Sequence, residues 1–532
     1  MSTTPLDLDG ATGLVHEADA VIATALVELK KRGGPDQSQS LAYDIAHAAS
    51  ALATVRAALH YGQNGDDESG LAAAFLALAL KDLATRVLGH EESWGVSGDW
   101  YGPFTSFVST YGDPAFLSSL ATVSGARHLG DDFEPVAELF HKFADEQVRP
   151  HAEHVHRTNG DIPESIVSGL AELGGFGLSI PEEFGGFSTG GESEYLGMVV
   201  ATEELSWGSL GIGGSLITRP EIMTRALLSG GTQAQKERWL PQLASAEVLA
   251  AIAVTEPDFG SDVASINTTA TRTAGGWVLN GTKTWCTFAA RANVLVLLAR
   301  TDPDRTKAHR GLSLFLVEKE VSDSKGFLLI QDDRSGGSGR LEGRPIDTLG
   351  YRGMHSYELS FDSWFVPNDN LVGGEDGLGQ GFYFQMAGFE NGRLQTAARA
   401  IGVMQAAYEA ALEYSRNRTV FGEPIINYEL TRVKLGTMAS IIQCSRQFAL
   451  EVARLMGAGE GTMEASMAKD YVCRAAEWVT REALQIHGGM GYAEEFAVSR
   501  YFVDARVLSI FEGADETLCL KVIARRLLSQ TS

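Results

Sequence analysis

Cysteine is scarce in this chain. Four residues, Cys286, Cys444, Cys473 and Cys519, are scattered through 532 positions with no C-x-x-C pair. That spacing offers neither a disulfide framework nor a zinc knuckle and suits a reducing compartment, so a cytoplasmic location is expected. Positive charge is also short: 43 Lys and Arg against 68 Asp and Glu leave a formal net charge of -25, without a basic block. The average surface therefore repels nucleic acid and anionic membranes, although a few arginines in a cleft can still hold a small anion. Long apolar runs are missing as well. The most apolar early stretch, LAAAFLALAL at 71–80, stops at Lys81, well short of a membrane span. The opening MSTTPLDLDG lacks the basic start and apolar core of a signal peptide, so no targeting signal is expected. What is present, 44% hydrophobic and 21% charged residues, describes a soluble globular chain of two to four domains.

Periodicity divides the chain. Residues 1–130 are rich in Ala and Leu at helical spacing, as in HEADAVIATALVELKKRG, and break at the Gly- and aromatic-rich ESWGVSGDWYGPFTSF. Residues 131–250 add amphipathic helices, including GTQAQKERWLPQLAS, for which Thr232 is an N-cap and Pro241 marks an end. From 251 to 366 the period shortens to that of strands. GWVLNGTKTW predicts a hairpin turning at Asn280–Gly281, NVLVLLAR, GLSLFLVEK and YELSFDSWFVP predict strands, and DDRSGGSGRLEGRP predicts a loop. Residues 367–532 return to the helical period. The expected fold is mainly α with a central β domain, preceded by an extra helical block.

Several stretches could carry chemistry. In AVTEPDFGSD (253–262) the hydroxyls of Thr255 and Ser261 can converge on one ligand, although the composition is equally that of an ordinary turn. In GTKTWCT (281–287), read as a strand, Trp285 and Thr287 share a face, which suits a flat heterocycle with a polar edge or simple packing. GWVLNGTK lacks the strand-to-helix context of a phosphate loop, and GLGQGF is a bare glycine spacing. HAEHVH (151–156) has no partner cluster, so no metal site is expected there.

In order along the chain, VTEPDFGSD, GTKTWCT, RNRTVFG (416–422), QIHGGMGY (485–492) and IFEGADE (510–516) resemble the motifs of the acyl-CoA dehydrogenase family. The resemblance runs from about residue 131 to the end. It implies a helical domain, a barrel-like sheet domain and a C-terminal four-helix bundle, with FAD as cofactor. Glu512 would be the catalytic base, and Gly513 would let the thioester approach closely. Thr287 would meet flavin N5 and Trp285 the ring, while Thr255 and Ser261 hold the polar edge of the ring and Ser261 also touches substrate. Arg418, Phe421, Gln485, Gly488 and Gly489 would bind the FAD diphosphate and adenine side across a subunit interface, which implies a homo-oligomer, dimer or tetramer. Arg393 and Phe389 would border the CoA groove. One branch of the family draws its base from the residue before that arginine, and here the position is Gly392, which leaves Glu512 without a competitor. A capping or Arg506-pairing role is the structural alternative for Glu512. Ala514 and Glu429 depart from the usual motif residues.

The 1–130 block, which ordinary short- and medium-chain members lack, the total length and the motif wording together resemble members of the family that act on a short branched acyl-CoA. The best match is (2S)-methylsuccinyl-CoA, oxidised to mesaconyl-CoA in the ethylmalonyl-CoA pathway, with electron-transfer flavoprotein as electron acceptor. Arg219 in LITRPE is one candidate for the terminal carboxylate, and LSWGSLGIGGSLIT lacks the arginine that glutaryl-CoA dehydrogenases carry upstream, which argues against glutaryl-CoA and its decarboxylation. The alternatives are another short or branched acyl-CoA, an oxidase that passes electrons to oxygen, and a non-catalytic acyl-CoA or flavin scaffold.

Overall fold

The structure, a computed structural model, describes residues 7–323, 325–334 and 337–531. The chain forms two compact units: the first ends at Leu139 and resumes at Thr396, and the second is Phe140–Gln395. Helix accounts for 62% of the chain.

In the first unit the helix Leu8–Lys31 starts where the Asp7 carboxylate accepts the Gly10 amide, and it ends on Lys30 and Lys31, each charge complementing the helix dipole. The apolar run noted above lies within the helix Asp66–Val87, whose Leu71, Ala72, Ala73, Ala74 and Leu76 are fully buried. Small side chains there allow close packing, and Ser440 Oγ of the helix Glu429–Gly457 donates to Leu71 O at 2.8 Å. The helix Gln39–Tyr61 packs against both Glu429–Gly457 and Thr462–His487. The early helical block thus shares one core with the C-terminal helices.

The second unit carries helices and the sheet. Thr232 caps the helix Gln233–Ala244, as its sequence predicts, and does so in a reciprocal box with Gln235. Pro241 does not end that helix but lies within its last turn, where the buried Trp239, Leu240 and Leu243 hold the chain helical. The strands are β1 (Ala250–Ala253), β2 (Thr269–Thr273), β3 (Gly276–Lys283), β4 (Val294–Arg300), β5 (Leu312–Glu318), β6 (Phe327–Arg334), β7 (Gly337–Ile346) and β8 (Ser356–Pro367). They run in the order β1-β4-β2-β3-β8-β7-β6, with β5 also paired to β4. Both faces of β4 are buried: Leu295 and Leu297 belong to one buried cluster with Phe315 and Leu359, whereas Val294, Val296 and Leu298 belong to another with Trp239 and Leu243. That explains the unbroken apolar run of NVLVLLAR.

Two expectations about the sheet are corrected. β3 passes straight through Asn280–Gly281, where a register shift against β8 marks a bulge, and the hairpin turn lies at Ala274–Gly275, between β2 and β3. Gly281 has φ 145°, and a Cβ there would come within 2.7 Å of Thr268 Cα, so glycine is needed for close approach and not for a tight turn. DDRSGGSGRLEGRP is largely strand: its described residues lie in β6 and β7, with Ser335 and Gly336 outside the described residues. Its glycines read as a loop in sequence but act as clearance, since a Cβ on Gly343 would meet the Phe327 ring and one on Gly339 the backbone of Ser363.

Candidate functional site

The IFEGADE stretch follows the helix Ala497–Leu508 as a tight loop in the first unit. Glu512 adopts φ 54° and Gly513 φ 103°, so a non-glycine residue is held in the left-handed region directly before a glycine. Its neighbours hold that conformation. Lys469, fully buried on the helix Thr462–His487, donates to Gly513 O at 2.6 Å, and Asp515 N donates to Ser509 O at 3.2 Å. The Arg399 guanidinium, also fully buried, lies 5.1 Å over the Phe511 ring. Burial pushes the Lys469 ammonium below its usual range, although nearby carboxylates, Glu512 among them, counter this. Arg506 forms an ion pair with Glu477 at 3.3 Å. Ala514 occupies the N-cap position of the short turn Asp515–Thr517, and Glu429 opens the helix Glu429–Gly457, where its charge suits the dipole.

A cleft of about 410 Å³ in the same unit is walled by Tyr414, Arg418, Ile425, Ile486, His487, Gly488, Gly489 and Met490. It gathers three of the residues expected to bind the cofactor: Arg418, Gly488 and Gly489. Gly488 has φ 60°, and a Cβ on either glycine would meet nothing within 4 Å, which leaves backbone open to a ligand. Phe421 and Gln485 lie outside the wall. Phe421 is 96% exposed at the tip of the Thr419–Val420/Glu423–Pro424 hairpin, where it and Gly422 supply the two positive φ angles of a type I′ turn. Gln485 is exposed one turn before Gly488. The sequence reading missed Tyr414 and His487, whose rings stack at 4.2 Å. Burial lowers the His487 pKa, partly countered by the bond that Nδ1 donates to Ala483 O at 2.8 Å.

In the second unit the AVTEPDFGSD and GTKTWCT stretches meet. Thr284 N donates to Thr255 O at 2.8 Å, and Lys283 Nζ donates to Val254 O and to Glu256 Oε1, each at 2.9 Å. Glu256 also accepts the amides of Asn267 at 2.6 Å and Thr268 at 2.8 Å. Burial alone would raise the Glu256 carboxyl, but the Lys283 ammonium and these amides hold it below its ordinary value; burial lowers Lys283 in turn. This pair, which the sequence reading passed over, ties the two motif stretches together.

The expected strand face for Trp285 and Thr287 is corrected. β3 ends at Lys283, Trp285 takes φ 57°, and Cys286 turns inward to pair with the backbone of Tyr357. The kink separates the two side chains: Trp285 is 56% exposed, whereas Thr287 is 8% exposed with its hydroxyl 3.0 Å from Ser356 Oγ. Thr255 is half-buried and Ser261 exposed on the adjoining loop.

Phe389 and Arg393, half-buried and one turn apart, lie on the helix Gly381–Asn417, and Gly392 between them is buried. This segment is anchored by a group the sequence reading missed. The buried Glu221 accepts from Asn391, from Gln395 at 2.5 Å and from Arg225 at 3.0 Å. Burial raises its carboxyl, with Arg225 countering. The only advance signal was the i, i+4 spacing of Glu221 and Arg225. Arg219, buried on the same helix Thr218–Gly230, donates to the Tyr351 hydroxyl at 3.2 Å.

These residues fit FAD. The first unit offers an apolar-walled cleft with one arginine and open glycine backbone, as a diphosphate and adenine require, and the second offers an exposed indole at Trp285 in the stretch that Thr284 ties to Thr255, as a flavin ring can use. Among the described residues no helix is long and apolar enough to cross a membrane.

Known proteins agree with this layout. The chain matches the acyl-CoA dehydrogenase N-terminal domain over residues 131–247, the middle domain over 251–364 and the C-terminal domain over 379–528. It is 47% identical to the (2S)-methylsuccinyl-CoA dehydrogenase of Cereibacter sphaeroides over 76% of this chain and 71% of that one. It is 35% identical to the mitochondrial 2-methylacyl-CoA dehydrogenase of Solanum tuberosum over 76% of this chain and 93% of that one. The butyryl-CoA dehydrogenase structure from Megasphaera elsdenii superposes with a TM-score of 0.66 at 28% identity, over 75% of this chain and 98% of that one. The chain belongs to the acyl-CoA dehydrogenase family, FAD-dependent oxidoreductases acting on CH-CH groups, and has that family's fold of helical, sheet and helical domains with a further helical block in front.

Proposed function

We propose that this enzyme dehydrogenates (2S)-methylsuccinyl-CoA to mesaconyl-CoA, in the ethylmalonyl-CoA pathway of the cytoplasm, with Glu512 as the base that removes the α-proton. The observation that carries the chemistry is the left-handed Glu512–Gly513 loop, a carboxylate held on a fixed backbone beside a residue without a side chain. A thioester α-hydrogen is very weakly acidic, so its removal needs a preset donor for the developing enolate oxygen, and the Glu512 amide supplies one. Bound FAD would supply the hydride acceptor, its N5, for the β-hydrogen. Thr287 would hydrogen-bond flavin N5, Thr255 and Ser261 would hold the polar edge of the ring, Trp285 would pack beside it, and Arg418, Gly488 and Gly489 would hold the diphosphate. Phe421 and Gln485 complete the cofactor contacts across an interface between copies of the chain, which accounts for an almost fully exposed phenylalanine in a built turn. Arg393 and Phe389 hold CoA, and Ser261 and Gly513 border the acyl group.

The substrate assignment rests on the Cereibacter sphaeroides relative and on Arg219, a buried guanidinium suited to a terminal carboxylate. Electrons leave to electron-transfer flavoprotein. The test is the product of methylsuccinyl-CoA with excess acceptor, read by mass spectrometry. A loss of two hydrogens with all carbons retained is expected. A decarboxylated product, or no product while a simple acyl-CoA is consumed, would discard this substrate.

A further inference from the structure

Tyr43 and His47 belong to the helical block that precedes the family-matched residues, which begin at 131. Four residues apart, they share one helix face, and their rings meet edge to face at 4.3 Å. His47 is 3% exposed; its Nδ1 lies 2.9 Å from Asp470 Oδ2 and its Nε2 3.5 Å from Asp515 Oδ2. The Tyr43 hydroxyl donates to Asp515 at 2.5 Å, and Cys519 Sγ sits 3.3 Å from Asp470 and 3.7 Å from His47. Asp515 ends the loop that carries Glu512, and Asp470 directly follows Lys469, which holds Gly513 O. Two neighbouring residues of one helix therefore fasten this loop: Lys469 directly, and Asp470 through an imidazole supplied by the early block.

The charges support a permanent clamp. Burial alone would strip the proton from His47, but Asp470 and Asp515 outweigh it and hold the imidazole above its usual pKa. Burial would likewise raise Asp515, yet donation from His47, Asp470 and Tyr43 keeps it far below the carboxylate range, while burial raises Asp470. The imidazole thus sits between two carboxyls that favour its charged form. These side chains also have metal-ligand chemistry. Here, however, each imidazole nitrogen faces a carboxylate.

We propose that His47 and Tyr43 are positioning residues that hold the Glu512 loop in its left-handed conformation, so that the early helical block takes part in α-proton removal. The proposal rests on Glu512 being the base. A non-glycine residue at φ 54° is strained and stays there only if its surroundings fix it, and a small displacement of a base from its proton lowers the rate steeply.

The test uses full-length holoenzyme carrying His47→Gln or Tyr43→Phe, with Glu512→Gln alongside. His47→Gln is expected to lower kcat by about 10- to 100-fold. FAD content and KM stay near wild type, and the deuterium isotope effect from α-deuterated substrate increases. Tyr43→Phe, which removes only one hydroxyl, shifts the same quantities in the same direction by less. Unchanged kcat in both variants, with Glu512→Gln inactive, would overturn the clamp and leave the base assignment standing. Loss of FAD in step with activity, without a larger isotope effect in either variant, would overturn it in favour of a purely structural role. Stoichiometric bound transition metal, with turnover lost on chelation, would replace the clamp by a metal site. Full turnover in Glu512→Gln would remove the base assignment and the clamp together.

Discussion

Glu512→Gln lowers kcat by about 10³- to 10⁴-fold while the purified protein remains yellow and folded. The substitution preserves size and the ability to sit at φ 54°, and it leaves the Lys469 contact to Gly513 O and the Arg399–Phe511 contact in place. Only the proton acceptor is removed. The position from which a family branch would draw its base, the residue before Arg393, is Gly392, so no second carboxylate takes over at that point. Steady-state turnover beside the flavin absorbance of the same preparation checks this. Retention of more than a tenth of wild-type kcat would remove Glu512 from its assigned role, and loss of both colour and activity would assign it a structural one.

The largest expected loss of stability comes from Lys283→Met. Lys283 is fully buried, and its partner Glu256 keeps two backbone amides besides the ammonium. Removing the cation leaves a buried carboxylate without its counter-charge, which costs about 3–5 kcal/mol. The double variant Lys283→Met/Glu256→Gln should recover a large part of this, because a glutamine oxygen still accepts the Asn267 and Thr268 amides without a charge to compensate. The linkage has a definite sign. In the wild type the Glu256 carboxyl is held below its ordinary value, so its contribution is present above the ordinary carboxylate range and fades as pH falls through the folded-state value. Lys283→Met should lose that contribution and flatten the acid limb of stability against pH. Chemical denaturation followed at several pH values measures both effects; a loss under about 1 kcal/mol with an unchanged acid limb would contradict the account.

How far the sequence alone reached depended on the kind of signal. Periods of 3.6 and 2 located the helices and the strands β4, β5 and β8, because burial on one or both faces writes itself into side-chain choice. Glycine misled twice, at Asn280–Gly281 and in DDRSGGSGRLEGRP, since the residue that opens a turn also clears space between strands and only the partner strand tells which. Trp285 and Thr287 were picked out by their motif, but their divergence depends on a positive φ at a tryptophan, which no local pattern announces. Pairs distant in the chain were invisible: Glu221 with Gln395, Lys469 with Gly513, and His47 with Asp470 meet only once the helices pack. The motif singled out Glu512, whereas the groups that fix its backbone left no mark in the sequence.

The most direct test of the central claim is anaerobic mixing of the purified protein with methylsuccinyl-CoA, butyryl-CoA, isobutyryl-CoA and glutaryl-CoA while the flavin absorbance is followed. Rapid bleaching by methylsuccinyl-CoA, and slow or no bleaching by the others, is the result expected from a Glu512 base and an Arg219 carboxylate contact. Faster bleaching by butyryl-CoA or glutaryl-CoA would contradict the substrate, and no bleaching by any of the four would contradict the dehydrogenation itself.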